Sequence, residues 1–216
     1  MVNAGLLELL SVGGGQHDDG RITGVVIGIV TNNNDPDRLG RVKMRFPWLS
    51  ASTESHWARV ATPMAGHGRG FYFLPEVDDE VLVLFERGDV RFPFVIGALW
   101  NGKDQAPAGN SDGKNALRVI KSRSGHLIRF DDSEDAQKIE IVDATSSNRI
   151  VIDTSTDTIT IAAGKNIVLE APNGDIRLDA NQVLIAASKG ADIKADTMTI
   201  AVQRRLALTG DPIDLN

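Results

Sequence analysis

The sequence predicts an all-β chain in two parts, a small closed barrel followed by a rod stacked from short strands. Three observations predict it. An apolar pair at positions i and i+2 recurs eleven times after residue 116, and this is the period of a strand with one buried face. Five or six short β-branched or alternating runs lie before residue 104, with turn residues between them. A segment rich in Pro, Gly, Asn and Asp separates the two parts.

Residues 1–19 form an N-terminal extension with an apolar cluster, Leu6, Leu7, Leu9 and Leu10, followed by Gly13, Gly14 and Gly15. It reads either as a frayed terminus or as a docking segment on a flexible tether. Residues 20–104 make the barrel. Ile22 to Val30 is a long apolar run closed by Asn32, Asn33, Asn34, Asp35 and Pro36. Gly40 to Phe46 alternates Val42, Met44 and Phe46 against Arg41, Lys43 and Arg45. Trp57–Ala61, Phe71–Leu74, Glu80–Phe85 and Phe92–Leu99 supply the remaining strands. Closure into a barrel removes exposed sheet edges. Residues 105–116 are the linker, 117–210 the rod and 211–216 the tip.

The rod pairs run Leu117/Val119, Ile128/Phe130, Ile139/Ile141, Ile150/Ile152, Ile159/Ile161, Ile167/Leu169, Ile176/Leu178, Val183/Ile185, Ala191/Ile193, Met198/Ile200 and Leu206/Leu208. The steps between them are 11, 11, 11, 9, 8, 9, 7, 8, 7 and 8 residues. The residue between the two apolar positions is often polar, as at Glu140, Thr160, Arg177, Asp192 and Thr199; Val151, Val168 and Leu184 depart from this rule. A short fixed repeat means a stacked, quasi-one-dimensional object. Two inward side chains per repeat give one chain a thin core. Three chains wound about one axis, each laying a strand on one face and passing to the next, fill a triangular prism. Eleven stacked strands span on the order of 50 Å. The competing arrangement is a single-chain β-solenoid. The trimer reading places in the core Ile139, Ile141, Ile150, Ile152, Ile159, Ile161, Ile167, Leu169, Ile176, Leu178, Val183, Ile185, Ile193, Met198, Ile200, Leu206 and Leu208.

Composition narrows the function classes. Net charge is −6 with a pI near 5.2, which disfavours nucleic acid despite the basic strand at 41–45. Cysteine is absent, so disulfide and thiolate chemistry are excluded. No apolar run approaches the length of a membrane-spanning helix. Ser122, Ser124 and His126 are near in sequence but lack a nucleophile elbow, and His17, His56, His67 and His126 lack metal-ligand spacing. Asp131, Asp132, Glu134 and Asp135 read as a solvated turn, without an EF-hand pattern. No enzyme activity, catalytic residue, cofactor or metal is expected.

Specific motifs lie in the barrel: Gly40-Arg41-Val42-Lys43-Met44-Arg45-Phe46-Pro47-Trp48, Trp57-Ala58-Arg59-Val60, Phe73-Leu74-Pro75-Glu76-Val77-Asp78-Asp79-Glu80-Val81-Leu82-Val83, and Pro93-Phe94-Val95-Ile96-Gly97-Ala98-Leu99-Trp100-Asn101-Gly102. In this order they resemble the OB-fold of phage baseplate assembly protein V and Vgr-type spike proteins. Ser124-Gly125-His126 with Phe130-Asp131-Asp132 resembles the start of that family's β-prism. The resemblance covers about residues 20–210. It implies an N-terminal OB-fold barrel followed by an intertwined trimeric triangular β-helix (β-prism), the central spike of a contractile injection system: a phage tail, a type VI secretion system or a phage-tail-like particle. It also implies assembly in the cytoplasm into a baseplate, and a place in a virion or extracellular injection particle.

Larger Vgr-type proteins begin with a hub domain that this sequence lacks, so a separate hub protein is expected, docked by Leu6, Leu7, Leu9 and Leu10. Some short phage spikes end in a His-x-His iron site. The last histidine here is His126, so no apical iron is expected. Pro212 stops a strand ladder. The open end is expected to take a PAAR-type tip protein through Asp211, Pro212, Ile213 and Leu215. The family usually has Gly where Asp78 stands, and Asp tolerates the left-handed backbone such a turn needs. A receptor- or glycan-binding module of the tail-fibre type is the alternative function, disfavoured by a repeat that runs almost to the last residue.

Overall fold

A computed structural model of the chain describes residues 21–213. Eight strands build the first half: β1 (Val25–Asn32), β2 (Arg41–Phe46), β3 (Ser50–Glu54), β4 (Ala58–Val60), the short hairpin β5 (Ala65–Gly66) and β6 (Arg69–Gly70), β7 (Glu80–Phe85) and β8 (Pro93–Leu99). The main sheet runs β1-β7-β8-β4-β2-β3, and β1 also pairs with β2. That extra pairing closes β1, β7, β8, β4 and β2 into a five-stranded barrel, with β3 added outside β2. All pairings are antiparallel except β4 with β8. The alternation in β2 turns Val42, Met44 and Phe46 inward to meet Val30, Ala58, Val81, Val83, Phe85 and Val95. Phe46 and Phe85 pack ring to ring at 5.5 Å. Gly28 fits closely where β1 crosses this core, since a Cβ there would sit 2.9 Å from Met44 Sδ.

Two connections are fixed by acidic side chains. The Asp35 carboxylate accepts the backbone N–H of Asp37, Leu39 and Arg41, and takes the Arg41 guanidinium at 2.7 and 2.9 Å. The Arg41 guanidinium holds the Asp35 carboxyl well below the usual carboxylate range; burial opposes this and the three N–H groups reinforce it. Asp78 adopts φ 76° in the turn before β7, the left-handed conformation expected of it, and its N–H bonds to Val30 O at 2.9 Å. Two expectations for the barrel need correction. Phe71–Leu74 is not a strand: Phe71 N–H closes onto Met64 O beside the β5–β6 hairpin, and this ties the segment into a loop. β3 was not foreseen, because Ser50-Ala51-Ser52-Thr53-Glu54 has no apolar alternation.

The second sheet comprises β9 (Leu117–Lys121), β10 (Leu127–Asp131), β11 (Lys138–Val142), β12 (Arg149–Asp153) and β13 (Thr158–Ala162). It is an antiparallel meander in chain order. This corrects the expectation that every repeat passes at once to another chain. The 11-residue steps, and the 9-residue step that follows, hold a five-residue strand plus a turn long enough to return. The turns are built for reversal. Asp143 takes Thr145 and Asn148, Asp153 takes Ser155 and Thr156, and Asp135, Ser146 and Asp157 adopt positive φ.

The chain beyond Gly164 forms a second unit. Its described residues, 165–213, contain no strand, and all but Ala171 are exposed. A turn closes from Gly174 N–H to Ala171 O at 3.2 Å. Among the described residues no helix is long and apolar enough to cross a membrane.

Candidate functional site: an open apolar sheet face

Register decides which side chains of the meander share a face. Ile128 stands opposite Ile141 and Phe130 opposite Ile139. Ile139 and Ile141 face Ile152 and Ile150, which in turn face Ile159 and Ile161. One face therefore carries an unbroken apolar ladder, extended on β9 by Ile120 opposite Ile128. These nine side chains are between 38% and 69% exposed in the single chain. The one charged group on this face is Arg118 at its corner, tied to Asn115 O at 2.6 Å and to Asp132 at 3.1 Å.

The opposite face carries the middle residues of the pairs and is the better covered. Glu140 is buried there and takes the guanidinium of Arg129, with Lys138 at 3.7 Å. Pro107, Ala108 and Gly109 of the linker close over this side, leaving a cavity of about 350 Å³ floored by Leu117, Val119 and Leu127. Val151, the exception among the polar middle residues, lies on this face and is half-buried. The usual inside-out order is thus reversed: the sheet shelters its charges and leaves its isoleucines open.

Leu117 and Val119 require a correction. They face Asp131 and Arg129, on the linker side rather than on the isoleucine face. The Ser122–His126 turn sets this register: Ser122 N–H bonds to His126 O and Gly125 N–H to Ser122 O, both at 2.9 Å, with Gly125 at φ 99°. A shift of one residue moves a strand's whole apolar set to the other face. Ile120 takes the place on the open face, and no sequence signal marked it, because its partner position is Arg118.

The structure brings together Ile139, Ile141, Ile150, Ile152, Ile159 and Ile161. It does not bring together the later core candidates. Ile167, Leu169, Ile176, Leu178, Val183, Ile185, Ile193, Met198, Ile200, Leu206 and Leu208 are all at least half exposed, with no strand partner in the chain. At the tip, Asp211 and Pro212 are exposed beside a half-exposed Ile213. Leu6, Leu7, Leu9, Leu10 and Leu215 lie outside the described residues.

The groups weighed for chemistry have local structural duties. Ser122 Oγ accepts the His126 backbone N–H at 3.0 Å, and His126 Nδ1 accepts the Ala144 N–H at 3.2 Å. Asp131 caps Ser133, and Asp132 pairs with Arg118. On the basic strand, Arg41 is held by Asp35 and Asp37 and Lys43 by Glu54, and both cations lie over the Trp57 ring. Among the described residues no group of His, Cys, Asp or Glu is placed to hold a metal ion.

Comparison with known proteins gives a family match on the barrel and relatives matched over more than half of the chain. Residues 26–100 match the family described as the type VI secretion system/phage-baseplate injector OB domain. The chain is 37% identical over 129 residues to the type VI secretion system spike protein VgrG3 of Vibrio cholerae, covering 56% of this chain and 13% of that protein. It is 29% identical over 131 residues to VgrG1a and 34% over 130 residues to VgrG1c, two spike proteins of Pseudomonas aeruginosa. Each match covers 55% of this chain, with 20% and 18% of the respective relative. The chain therefore spans a fifth or less of the length of these curated relatives. The five-stranded barrel thus matches the injector OB domain of the type VI secretion and phage-baseplate kind, and the chain that carries it is similar to Vgr-type spike proteins.

Proposed function

We propose that the chain is the central, membrane-puncturing spike of a contractile injection system, working as an intertwined homotrimer. The observation that carries this reading is the open isoleucine face. Nine apolar side chains on one sheet face are far more than a free surface keeps without a partner. Three such faces meeting about one axis bury one another. The same i, i+2 apolar pairing continues through residues 165–208 at shorter steps. In the single chain these segments form no strand; other copies supply the pairing in a prism that each chain winds around.

The action of such a rod is mechanical. Removing one strand breaks ladders contributed by two neighbours, so the trimer resists axial load and unfolds slowly. In this reading the barrel meets a separate hub protein through Leu6, Leu7, Leu9 and Leu10. The far end takes a PAAR-type tip protein through Asp211, Pro212, Ile213 and Leu215. The particle is assembled in the cytoplasm and acts on a target membrane outside it.

Solution mass and shape test the reading together, by light scattering with small-angle X-ray scattering. A mass near three times 23.3 kDa in an elongated particle is expected. A monomer at working concentration refutes the trimer.

A further inference from the structure

The rod divides after Gly164 into a part that one chain folds alone and a part that it does not. Every strand of the meander has a ladder partner in the same chain. Each of its turns is tied: Ser122 N–H to His126 O at 2.9 Å, Ser133 N–H to Asp131 Oδ1 at 3.1 Å, Asp143 N–H to Asn148 O at 3.0 Å and Ser155 N–H to Asp153 Oδ1 at 2.9 Å. Arg123 joins the first turn to Glu76 of the barrel at 3.0 Å. Gly164 N–H, bonded to Asn148 Oδ1 at 3.1 Å, is the last tie across this sheet. Beyond it the polar ties among the described residues are the Gly174–Ala171 turn and the exposed Arg177–Asp179 ion pair. Exposure follows the same division. On the isoleucine face of β10, β11 and β12 the apolar side chains are 38–49% exposed, whereas the large apolar residues of the pairs from Ile167 to Leu208 are 50–75% exposed.

We infer that residues 117–162 are the registration nucleus of the assembly: three preformed meanders associate first through their isoleucine faces, and residues 165–208 gain strand structure only afterwards, in order toward the C-terminus. This order of assembly rests on the trimeric reading of the rod. Three observations carry it. First, the meander meets a second copy with its apolar face already built, whereas residues 165–208 must order their backbone at the moment of association and offset that entropy from the same contacts. Second, the later pairs specify their own register poorly. They repeat at steps of 7 to 9 residues and are nearly all aliphatic, so a slip by one repeat sets one apolar pair where another belonged and keeps every pair on its face. The meander does not slip, because its turns fix the register inside each chain, and its face is marked by one aromatic ring, Phe130, and one charge, Arg118 at the corner. Third, β13 pairs with β12 alone, and an open strand edge is a template for a further strand. Growth of the ladder therefore has a starting point at the end of the meander and none among the described residues 165–213. Once three meanders are joined, the segments tethered to them stand at millimolar effective concentration in a common register.

The order is read on the full-length wild-type chain, unfolded in urea and refolded by dilution. Pulses of deuterium at increasing times, read by mass spectrometry, report amide protection segment by segment, and light scattering follows the mass in parallel. Protection over 117–162 is expected first, the trimer mass next and protection over 165–208 last. Protection over 165–208 that comes before the trimer mass, or together with that over 117–162, overturns the inference. Two full-length variants give a second reading at equilibrium. Ile193→Asp is expected to keep a mass of three times 23.3 kDa and to lose protection only from the Ala191/Ile193 repeat onward, whereas Ile150→Asp loses the trimer and all protection beyond Gly164. An Ile193→Asp chain that is monomeric by mass shows that the later repeats are needed for association and overturns the inference. A wild-type chain that is monomeric by mass instead overturns the trimeric reading beneath it.

Discussion

Replacing Ile150 with Asp places a carboxylate in the middle of the isoleucine face. Ile150 stands between Ile141 and Ile161 across the sheet and is 41% exposed in the single chain. Full burial of such a side chain is worth about 1.5–3 kcal/mol, so roughly 1 kcal/mol remains to be gained by covering it. Over nine such side chains this amounts to on the order of 10 kcal/mol per chain, an upper figure because unfolded chains already hide part of their surface. Ile150→Asp forfeits one share and adds the desolvation of an ion, several kcal/mol per carboxylate after relaxation. With three carboxylates brought near one axis, the total exceeds roughly 10 kcal/mol per trimer. Assembly is expected to be lost while the barrel stays folded. The three tryptophans, Trp48, Trp57 and Trp100, all lie within or just beyond the barrel, so their fluorescence reports on it separately. Light scattering reads the mass. Thr160→Asp, on the opposite face of β13, serves as control and keeps the wild-type mass. An Ile150→Asp trimer with wild-type mass and thermal midpoint refutes the reasoning.

Two further predictions concern the barrel. Gly28→Ala puts a methyl group 2.9 Å from Met44 Sδ and 3.3 Å from Val83 Cγ2; because the Met44 end can give way, about 1 kcal/mol of stability is lost, and an unchanged urea midpoint by tryptophan fluorescence contradicts the packing described. Acid weakens the barrel through Asp35 and Asp89, whose carboxyls the Arg41 and Arg91 guanidinium groups hold below their ordinary values, Asp89 at about 2. A lowered folded pKa means that the unfolded chain, near 3.9 for Asp, binds more protons in acid. Their contribution is present above about pH 4 and fades as the pH falls toward 2. Asp35→Asn flattens that decline in urea midpoints measured across the range, and an unchanged slope counts against the Asp35–Arg41 contact as its source.

The two halves differ in how much the sequence reveals. The barrel core was legible in β2, where Val42, Met44 and Phe46 alternate with Arg41, Lys43 and Arg45 and strand geometry leaves them one place to go; in β7, where Leu82 and Leu84 are as apolar as Val81, Val83 and Phe85, the inner set was decided by register. The turn at Asp35 was legible for a local reason, since backbone N–H groups constrain residue type within a few positions, whereas the left-handed residue at Asp78 was legible only through the family resemblance, which usually has Gly there. β3 was not legible. It is held by pairing with β2 through residues without apolar pattern, and pairing partners are a long-range matter.

On the candidate site, the i, i+2 pairs marked Ile128, Phe130, Ile139, Ile141, Ile150, Ile152, Ile159 and Ile161 for one sheet face, because periodicity is a property of the chain alone. Periodicity is blind to three things that only the tertiary structure decided. The Ser122–His126 turn shifts β9 by one residue and exchanges Leu117 and Val119 for Ile120. Turn lengths between strands make the first five repeats return on themselves as a meander. The linker lies against the β9–β10 end of one face of that meander and leaves the isoleucine face bare. The sequence by itself determined which residues need burial, since that follows from side-chain chemistry and strand period. The tertiary structure decided which of those needs the chain meets alone, since that depends on register and on which segments fold back.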